Sequence, residues 1–555
     1  MSSFASLVAR DISKSYGPHV VLDHVSFTLG PQHRIGVVAP NGTGKSTLLK
    51  IVAGVETPDA GSVTLAPPTS TIGYLPQEQE SERAQTLRAY LSHRTGVAAA
   101  IAEFERASHA LATQAPHADD EYATALERYL TLGAADFDAR VGAVCDDLGL
   151  PTRLLDVEIG ALSGGQAARA RLAAILLARF DVFLLDEPTN DLDFDGLDRL
   201  ERFFAEELEG GVMVVSHDRA FLDGTITSVL EIDEHTHQSA LFAGGWSAYL
   251  DERATARRHA EEAYDAYRTQ HRTLAQRAQK QRQWSVQGAA KVKRSGETDK
   301  FIRHFRRSSS EHVAAKAKIT ARALERLEAD AVEKPWEGWD LRMEIATAAR
   351  SGTVVSRTVG LAVERGDFTL GPIDLQIDYG ERVAILGPNG SGKTTLLDAL
   401  MGRRAANAGE VWTGPGVVFG ELDQSRAMFT GDEPLLARFE QASALLPKGA
   451  RSLLAKFGLG AEHVARSVTS LSPGERTRAG LALFSSRGVN CLVLDEPTNH
   501  LDLSAITQLE SALAQYTGTL IVVTHDRELL AALEINRSIE IDDGQIARDV
   551  PVGTT

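Results

Sequence analysis

The stretch Gly387–Leu397, GPNGSGKTTLL, decides the fold of this chain. It fits the phosphate-binding loop pattern G-x-x-x-x-G-K-[ST]. It follows the apolar run Val383–Leu386 and precedes the helix-forming run LLDAL. Glycines let backbone N–H groups turn toward phosphate oxygens, and the N-terminus of the next helix adds partial positive charge. The stretch predicts an α/β nucleotide-binding domain, with Lys393 at the β and γ phosphates of ATP and Thr394 on Mg²⁺.

The same loop occurs 348 residues earlier as APNGTGKSTLL, beginning at Ala39. Three more sequences recur in the same order: LSGGQ and LSPGE, LLDEPTNDLD and VLDEPTNHLD, VVSHDR and VVTHDR. Two copies of one domain are therefore predicted. The first copy has Ala39 where the pattern has glycine, a change that costs little at negative φ and more at positive φ. Because Lys45 and Ser46 remain, we expect ATP binding there to survive.

Two insertions interrupt the repeat. The first copy holds 38 extra residues between Gln77 and Ser163, and their Ala-rich composition predicts a helical insert at about residues 95–135. Between the copies, two sets of residues recur at helical spacing. They are Tyr264, Tyr267, His271, Leu274 and Ala278, then Val313, Ala317, Thr320, Leu324 and Leu327. We predict a first nucleotide-binding domain at 1–250, an antiparallel helical hairpin at 251–335, and a second nucleotide-binding domain at 336–555.

Charge is concentrated in the predicted hairpin. The whole chain carries a net charge of −17, yet Ala266–Arg326 contains 16 Lys/Arg against four acids, a net +12. The acidic remainder argues against indiscriminate nucleic-acid binding, whereas a basic two-helix probe suits an RNA cleft through phosphate contacts. The candidate RNA-binding residues at its tip are Lys291, Lys293, Arg294, Lys300, Arg303, Arg306 and Arg307.

Two function classes find no support in the composition. The two cysteines, Cys145 and Cys491, form no metal or redox pattern. No stretch approaches the roughly 20 apolar residues of a membrane helix, and the first twenty residues lack the apolar core of a signal peptide. We therefore expect a cytoplasmic protein without a membrane segment of its own.

Carboxylates and histidines follow the apolar runs in both copies. Asp186 and Asp495 end predicted buried strands, where each suits a partner of Mg²⁺. The adjacent Glu187 and Glu496 are the candidates for polarising the attacking water. His217 and His525 follow further apolar strands and are the candidates for contacting the γ-phosphate.

With these motifs the sequence closely resembles the ABC ATPases. In that superfamily the Ser-Gly signature of one domain binds the γ-phosphate held by the other domain's phosphate-binding loop, so the resemblance implies two composite ATP sites within one chain and no need for a stable oligomer. The first would combine Asn41, Gly42, Gly44, Lys45, Ser46, Thr47, Gln77, Asp186, Glu187 and His217 with Ser472, Gly474 and Glu475. The second would combine Asn389, Gly390, Gly392, Lys393, Thr394, Thr395, Gln424, Asp495, Glu496 and His525 with Ser163, Gly164, Gly165 and Gln166.

The resemblance also implies further roles. Ser46, Gln77 and Asp186 would ligate Mg²⁺ at the first site, and Thr394, Gln424 and Asp495 at the second. Tyr16 resembles the aromatic residue that stacks on adenine, and the second copy offers only Phe368 as an equivalent. Ala39, Asp191 and the divergent signature LSPGE are expected to belong to one composite site or to border it, which would make that site different from the other.

The architecture resembles the ABC-F family across nearly the whole chain. The matching features are the two DEPTN motifs, FAGGWSAYL after the first domain, and a charged helical linker between the domains. Asp191, where the family usually has histidine, is a departure. The resemblance implies binding to the ribosome, with the linker acting near the tRNA exit site and the peptidyl-transferase centre on ribosomal RNA and P-site tRNA. Antibiotic protection, translation regulation and ribosome assembly are all compatible with this resemblance. The alternative is the ATP-binding subunit of an ABC exporter. A DNA-repair ABC ATPase is disfavoured because that class carries zinc motifs or very long coiled coils, and the two lone cysteines exclude the zinc version.

Overall fold

A computed structural model describes residues 5–76, 83–294, 315–316, 318–331, 351–366, 368–422, 427–429, 431–499 and 501–552. The chain divides into two compact units. The first unit combines Met1–Ser247 with Asp340–Thr555, and so contains both copies of the repeat. The second unit is Ala248–Trp339.

The first copy contains nine strands and eight α-helices among its described residues. Its strands are β1 (Ser6–Tyr16), β2 (His19–Leu29), β3 (Arg34–Val38), β4 (Ala60–Ala66), β5 (Ile72–Leu75), β6 (Val182–Asp186), β7 (Gly211–Val215), β8 (Ser228–Ile232) and β9 (Ser239–Ala243). Its helices are α1 (Lys45–Val52), α2 (Leu87–Arg94), α3 (Val97–Ala112), α4 (Ala118–Thr131), α5 (Phe137–Asp147), α6 (Gly164–Leu177), α7 (Phe194–Arg202) and α8 (Arg219–Thr225).

The second unit consists of the long helix α9 (Trp246–Arg294), which begins in the first unit, and a helix at residues 318–329, here α10. The face predicted from helical spacing is the less exposed one: Tyr264, Tyr267 and His271 are half-buried on α9, and Leu324 is half-buried on α10. His271 Nε2 lies 3.2 Å from Glu328 Oε1, so the two helices run side by side.

The second copy has strands β10 (Val354–Arg365), β11 (Phe368–Asp378), β12 (Arg382–Leu386), β13 (Ala408–Thr413), β14 (Phe419–Leu422), β15 (Cys491–Asp495), β16 (Thr519–Val523), β17 (Arg537–Asp542) and β18 (Gln545–Pro551). Its helices are α11 (Lys393–Leu400), α12 (Leu435–Ser443), α13 (Pro447–Lys456), α14 (Ala461–Val464), α15 (Pro473–Arg487), α16 (Leu503–Ala514) and α17 (Arg527–Ala532).

The sheets of the two copies have the same topology. A six-stranded sheet runs β5-β6-β7-β3-β8-β9 in the first copy and β14-β15-β16-β12-β17-β18 in the second. A three-stranded antiparallel sheet, β2-β1-β4 or β11-β10-β13, completes each copy. The predicted α/β fold with two tandem nucleotide-binding domains and a helical insertion between them is confirmed.

The central strands are apolar on both faces. β6 and β7 are buried at every residue, as expected for parallel strands covered by helices on both sides. The phosphate-binding loop leaves the carboxyl end of β3, and Asp186 and His217 lie at or just beyond the carboxyl ends of β6 and β7. Since β6, β7 and β3 are parallel neighbours, the topology gathers the site residues at one edge of the sheet.

The insert predicted at about residues 95–135 contains α3 and α4. α4 begins after His117, which has a positive φ of 63°, and carries Asp119, Asp120 and Glu121 in its first turn. These acids favour the helix N-terminus. Phe104 of α3 packs against Tyr122 and Tyr129 of α4, with ring centroids 5.5 and 4.9 Å apart.

Candidate functional site

The phosphate-binding loop of the second copy is held open by its glycines. Gly390 and Gly392 have φ angles of 89° and 105°, in the left-handed region. A Cβ on Gly392 would lie 2.8 Å from Leu370, so the loop also packs closely on β11. Lys393 is buried and donates from Nζ to the carbonyl oxygens of Gly387 and Pro388, at 2.7 and 3.0 Å. A cation held against this backbone cradle fits the β and γ phosphates of a nucleotide.

The first loop has the same shape but a different residue at its start. Lys45 donates from Nζ to the carbonyl oxygen of Ala39 at 2.8 Å, as Lys393 does to Gly387. Gly387 has a φ of 140°, and a Cβ there would lie 2.0 Å from the carbonyl oxygen of Ile541. Ala39 does not have a positive φ. The alanine is therefore accommodated without strain, although the same residue could not replace Gly387.

Hydroxyl and carboxylate oxygens meet beside each loop. Thr394 donates from Oγ1 to Asp495 Oδ2 at 2.8 Å, and the Ser46 hydroxyl hydrogen-bonds Asp186. Burial raises the pKa of Asp186, and the bond from Ser46 opposes that shift. Hard oxygen ligands of this kind suit Mg²⁺, which takes one or two carboxylates together with phosphate oxygens.

The glutamates after these aspartates share an uncommon conformation. Glu187 and Glu496 have positive φ angles of 53° and 47°, and their N–H groups donate to Val215 and Val523 at 2.9 Å each. In each copy, the neighbouring parallel strand therefore holds the glutamate in this backbone conformation. Burial raises the pKa of each glutamate to about 8. A carboxylate whose pKa lies near neutral pH is a strong proton acceptor when ionised, which suits a group that polarises water.

A histidine lies against each glutamate. His217 Nε2 is 3.1 Å from Glu187 Oε1, and His525 Nε2 is 3.5 Å from Glu496 Oε1. Burial lowers the pKa of His525 to about 4, so this ring is neutral at pH 7. Neither nitrogen of the His525 ring makes a hydrogen bond of suitable geometry to any described residue. A phosphate oxygen would supply the missing partner.

The two signatures begin helices. Ser163 caps α6 and Ser472 caps α15, each through a reciprocal capping box with the residue three positions later, Gln166 or Glu475. The first signature thus presents a serine and the N–H groups of Gly164 and Gly165 at a helix N-terminus, which is favourable for an anion. In the second signature Pro473 has no N–H, so Gly474 alone offers one beside Ser472.

The first signature faces the second loop. A cavity of about 970 Å³ is lined by Ser163, Gly164, Gly165 and Gln166 on one side, and by Asn389, Gly390, Gly392, Lys393, Thr394, Thr395, Asp495, Glu496 and His525 on the other. A Cβ on Gly165 would lie 2.7 Å from Asn389 Cβ, so only glycine permits this approach. The structure brings together the described residues that were predicted to form the second composite site.

The first loop has a smaller cavity of about 400 Å³. It is lined by Asn41, Gly42, Gly44, Lys45, Ser46, Thr47, Asp186, Glu187 and His217, and by Pro473 of the second signature. Glu475 is occupied within its own domain, because its carboxylate accepts from Ser472 N–H at 2.7 Å and lies 3.1 Å from Arg466 and 3.3 Å from His463. The second signature therefore reaches this pocket through Pro473.

A pair of aspartates that sequence reasoning missed connects the two copies. Asp193 Oδ1 accepts from Gly196 N–H at 3.1 Å and caps its own helix α7, while Oδ2 accepts from Asn389 N–H at 3.1 Å. Asp502 does the same, capping α16 and accepting from Asn41 N–H at 3.2 Å. Each aspartate thus ties one phosphate-binding loop to the opposite domain.

The expectation for Asp191 is wrong. It was grouped with Ala39 and LSPGE, but Asp191 lines the cavity of Lys393, and its carbonyl oxygen accepts from Asn389 Nδ2 at 2.7 Å. The physical reason is that the loop after Glu187 crosses to the opposite phosphate-binding loop. The Asp191 carboxylate pairs with Arg171 at 2.9 Å.

The aromatic candidates differ in position. Tyr16 is 49% exposed and donates to Glu56 Oε1 at 2.6 Å. Phe368 lines the cavity of Lys393. The sensor candidates Gln77 and Gln424 lie outside the described residues, as do Lys300, Arg303, Arg306 and Arg307. Lys291, Lys293 and Arg294 fall on α9, where the structure describes the backbone alone.

Comparison with known proteins also finds one domain in each copy of the repeat. A family model described as ABC transporter matches residues 22–190 and 370–499, one segment in each copy. The tylosin resistance ATP-binding protein TlrC of Streptomyces fradiae is 34% identical over 95% of this chain and 96% of its own length. ABC transporter F family member 5 of Arabidopsis thaliana is 30% identical over 96% of this chain and 75% of its own. The chain belongs to the ABC-F family.

Further relatives extend the comparison. The energy-dependent translational throttle protein EttA of Mycobacterium tuberculosis is 31% identical over 94% of this chain and 88% of its own length. The archaeal ribosome recycling factor aABCE1, solved with the ribosomal stalk protein aP1, covers 98% of this chain at 19% identity with a TM-score of 0.55, a likeness of fold alone.

As an ABC-F protein the chain is an ATPase whose domains bind ATP. None of its described helices is both long enough and apolar enough to cross a membrane. The missed aspartates had a sequence signal, because Asp193 and Asp502 occupy equivalent places in the repeated DEPTN-x-LD motif.

Proposed function

We propose that this ABC-F ATPase binds the ribosome and uses its basic interdomain hairpin near the tRNA exit site and the peptidyl-transferase centre. There it would contact ribosomal RNA and P-site tRNA, either to protect the ribosome against an antibiotic or to regulate translation. The observation that carries the proposal is the net +12 charge of residues 266–326 in a chain of net −17. A cytoplasmic location follows from a ribosomal partner.

The described part of the hairpin supports RNA contact. On α9, the basic residues Arg268, Arg272, Arg277 and Lys280 are exposed, and so are Lys318, Arg322 and Arg326 of α10. Tyr264 and Tyr267 of α9 and Leu324 of α10 are half-buried, whereas these seven cations lie on exposed positions. Such a surface binds a polyphosphate backbone with release of counterions.

The ATP chemistry of the proposal follows from the two pockets. Ser46 with Asp186, and Thr394 with Asp495, would hold Mg²⁺ together with Gln77 and Gln424. Mg²⁺ would neutralise charge on the phosphate oxygens. Glu187 and Glu496 would orient the attacking water, and His217 and His525 would contact the γ-phosphate. The signature of the opposite domain would close each site.

The test is co-sedimentation with ribosomes. The chain with Glu187→Gln and Glu496→Gln, saturated with ATP, should sediment with ribosomes across a salt series. Replacing Lys291, Lys293, Arg303 and Arg306 with Ala should weaken binding and flatten its salt dependence, because fewer counterions are released. ATPase activity of the same four-residue variant, measured without the Gln changes, should stay unchanged.

A matched control removes the same charge elsewhere. Lys448, Arg451, Lys456 and Arg548 are exposed in the second domain, and changing them to Ala should leave the salt dependence of ribosome binding unaltered. Equal binding by the hairpin variant and its parent at every salt concentration would contradict the proposal. Sedimentation with membrane vesicles instead of ribosomes would favour the exporter subunit.

A further inference from the structure

One face of α7 in the first domain contacts the segment that carries His525 in the second. Phe194, Asp198 and Glu201 are spaced i, i+4 and i+7, so they lie on one side of the helix. The Phe194 ring meets the His525 ring edge-on, with centroids 5.1 Å apart and planes at 75°. Arg527 lies 6.0 Å from the centre of the Phe194 ring and pairs with both Asp198 and Glu201.

The same turn also holds the phosphate-binding loop. Phe194 directly follows Asp193, whose Oδ2 accepts from Asn389 N–H at 3.1 Å. One short segment of the first domain therefore contacts two parts of the Lys393 site, the loop at Asn389 and the ring of His525. His525 is 8% exposed, and its Nε2 lies 3.5 Å from Glu496 Oε1.

The other half of the molecule keeps the ion pair but lacks the ring. Residues 309 positions later correspond, so Leu503 stands for Phe194 and Thr507 for Asp198, while Glu510 matches Glu201. Arg219 pairs with Glu510 through both guanidinium nitrogens, one of them at 3.2 Å. The Lys45 site thus has an aliphatic side chain where the Lys393 site has an aromatic one.

We propose that Phe194 is a positioning residue for His525. Through Phe194, the first domain aligns the histidine that contacts the γ-phosphate of the ATP held by the second domain. An aromatic edge-to-face contact restricts the ring of His525 in a way that Leu503 cannot reproduce for His217. This specificity of one residue for one site rests on the roles proposed for His525 and Glu496.

The experiment measures single-turnover hydrolysis with enzyme in excess, so that the readout does not require both sites to cycle. Phe194→Leu, which copies the residue of the other half, is placed in the Glu187→Gln background, where the Lys393 site supplies the turnover. The rate constant should fall about fivefold, the effect of losing roughly 1 kcal/mol of aromatic contact. The ATP concentration for half-maximal rate should change less than twofold, because Phe194 does not line the pocket.

Three variants separate positioning from folding. Phe194→Tyr keeps the ring and should restore the rate. Leu503→Ala, the matched truncation in the other half, should leave the rate of the Lys393 site unchanged in the same background. Phe194→Leu in the Glu496→Gln background should leave the Lys45 site unchanged, and thermal unfolding of Phe194→Leu should match that of Phe194→Tyr.

A further variant tests the role of His525 separately from that of Phe194. His525→Ala in the Glu187→Gln background should slow hydrolysis more than Phe194→Leu does. If His525→Ala has no effect, the role of His525 fails. If His525→Ala slows hydrolysis but Phe194→Leu does not, or if Phe194→Leu slows both sites equally, the positioning role of Phe194 is overturned.

Discussion

At the scale of single residues, the chemistry depends on two glutamates in a strained backbone. A positive φ in a residue other than glycine is uncommon and is retained where the surroundings enforce it. Here the bond from Glu187 N–H to the neighbouring strand enforces it, and the second copy repeats the arrangement at Glu496. The carboxylates were predictable because each follows an aspartate at the end of an apolar run. The positive φ and the burial of the two glutamates depend on the adjacent strand, so they could not be predicted from the sequence.

Replacing both glutamates tests their role. Glu187→Gln with Glu496→Gln should lower the steady-state ATPase rate by about 10²–10⁴-fold, the usual effect of removing a group that accepts a proton from water. Binding of ATP should persist, measured with a fluorescent analogue. Glu206→Gln with Glu209→Gln, exposed acids of the first domain, is the control. Near-normal turnover in the doubly substituted site variant would refute the assignment.

At the scale of elements, helix starts carry most of the site. The signature serines and the aspartates Asp193 and Asp502 all cap helices that begin at the interface of the two domains. The caps can be read from the sequence, since serine or aspartate precedes each helix. The partners of these caps across the interface cannot be predicted from the sequence, because Asn389 and Asp193 are 196 residues apart and meet only when both domains are folded.

Asp218, the N-cap of α8, should make stability depend on pH. Burial raises the pKa of Asp218 to about 6, and the negative charges of Asp526 and Glu201 add to the shift. The folded state then binds this proton more tightly than the unfolded state, in which the pKa is about 4. The contribution of Asp218 to stability is therefore present below about pH 4 and is lost as pH rises to about 6.

The isosteric change Asp218→Asn keeps the bond from Phe221 N–H and removes the charge. Its advantage in thermal unfolding over the unmodified chain should grow between about pH 4 and pH 6 and then level off, reaching at most about 3 kcal/mol. Asp195→Asn, at an exposed position of α7, corrects for the loss of one charge. An advantage that does not vary with pH would contradict the effect of burial.

At the scale of the whole molecule, the repeat produces two sites of unequal construction. Gly165 of the first signature touches Asn389 in the large cavity, whereas Pro473 is the residue of the second signature that lines the small one. The sequence predicted the inequality through Ala39 and LSPGE. It misassigned Asp191 because linear order does not show that the loop after Glu187 crosses to the other domain.

Single substitutions should expose this inequality. Glu496→Gln should retain ATP longer than Glu187→Gln, because the opposite signature surrounds the Lys393 site more completely. One or two additional hydrogen bonds of about 1 kcal/mol each correspond to a difference of about 5- to 30-fold in the release rate. Release of labelled ATP from each variant, chased with unlabelled nucleotide, measures it. Equal release rates would show that the two cavities behave alike.

The paired contacts of Asn389 with Asp193 and of Asn41 with Asp502 have a consequence for how the protein responds to dilution. Both halves of each pocket belong to one polypeptide, so they meet at an effective concentration that the connecting chain sets, regardless of how many molecules are in solution. Assembly of the two pockets is therefore unimolecular. A cell that contains only a few copies of this protein loses none of their catalytic competence to dissociation, whereas an ATPase assembled from two separate chains would.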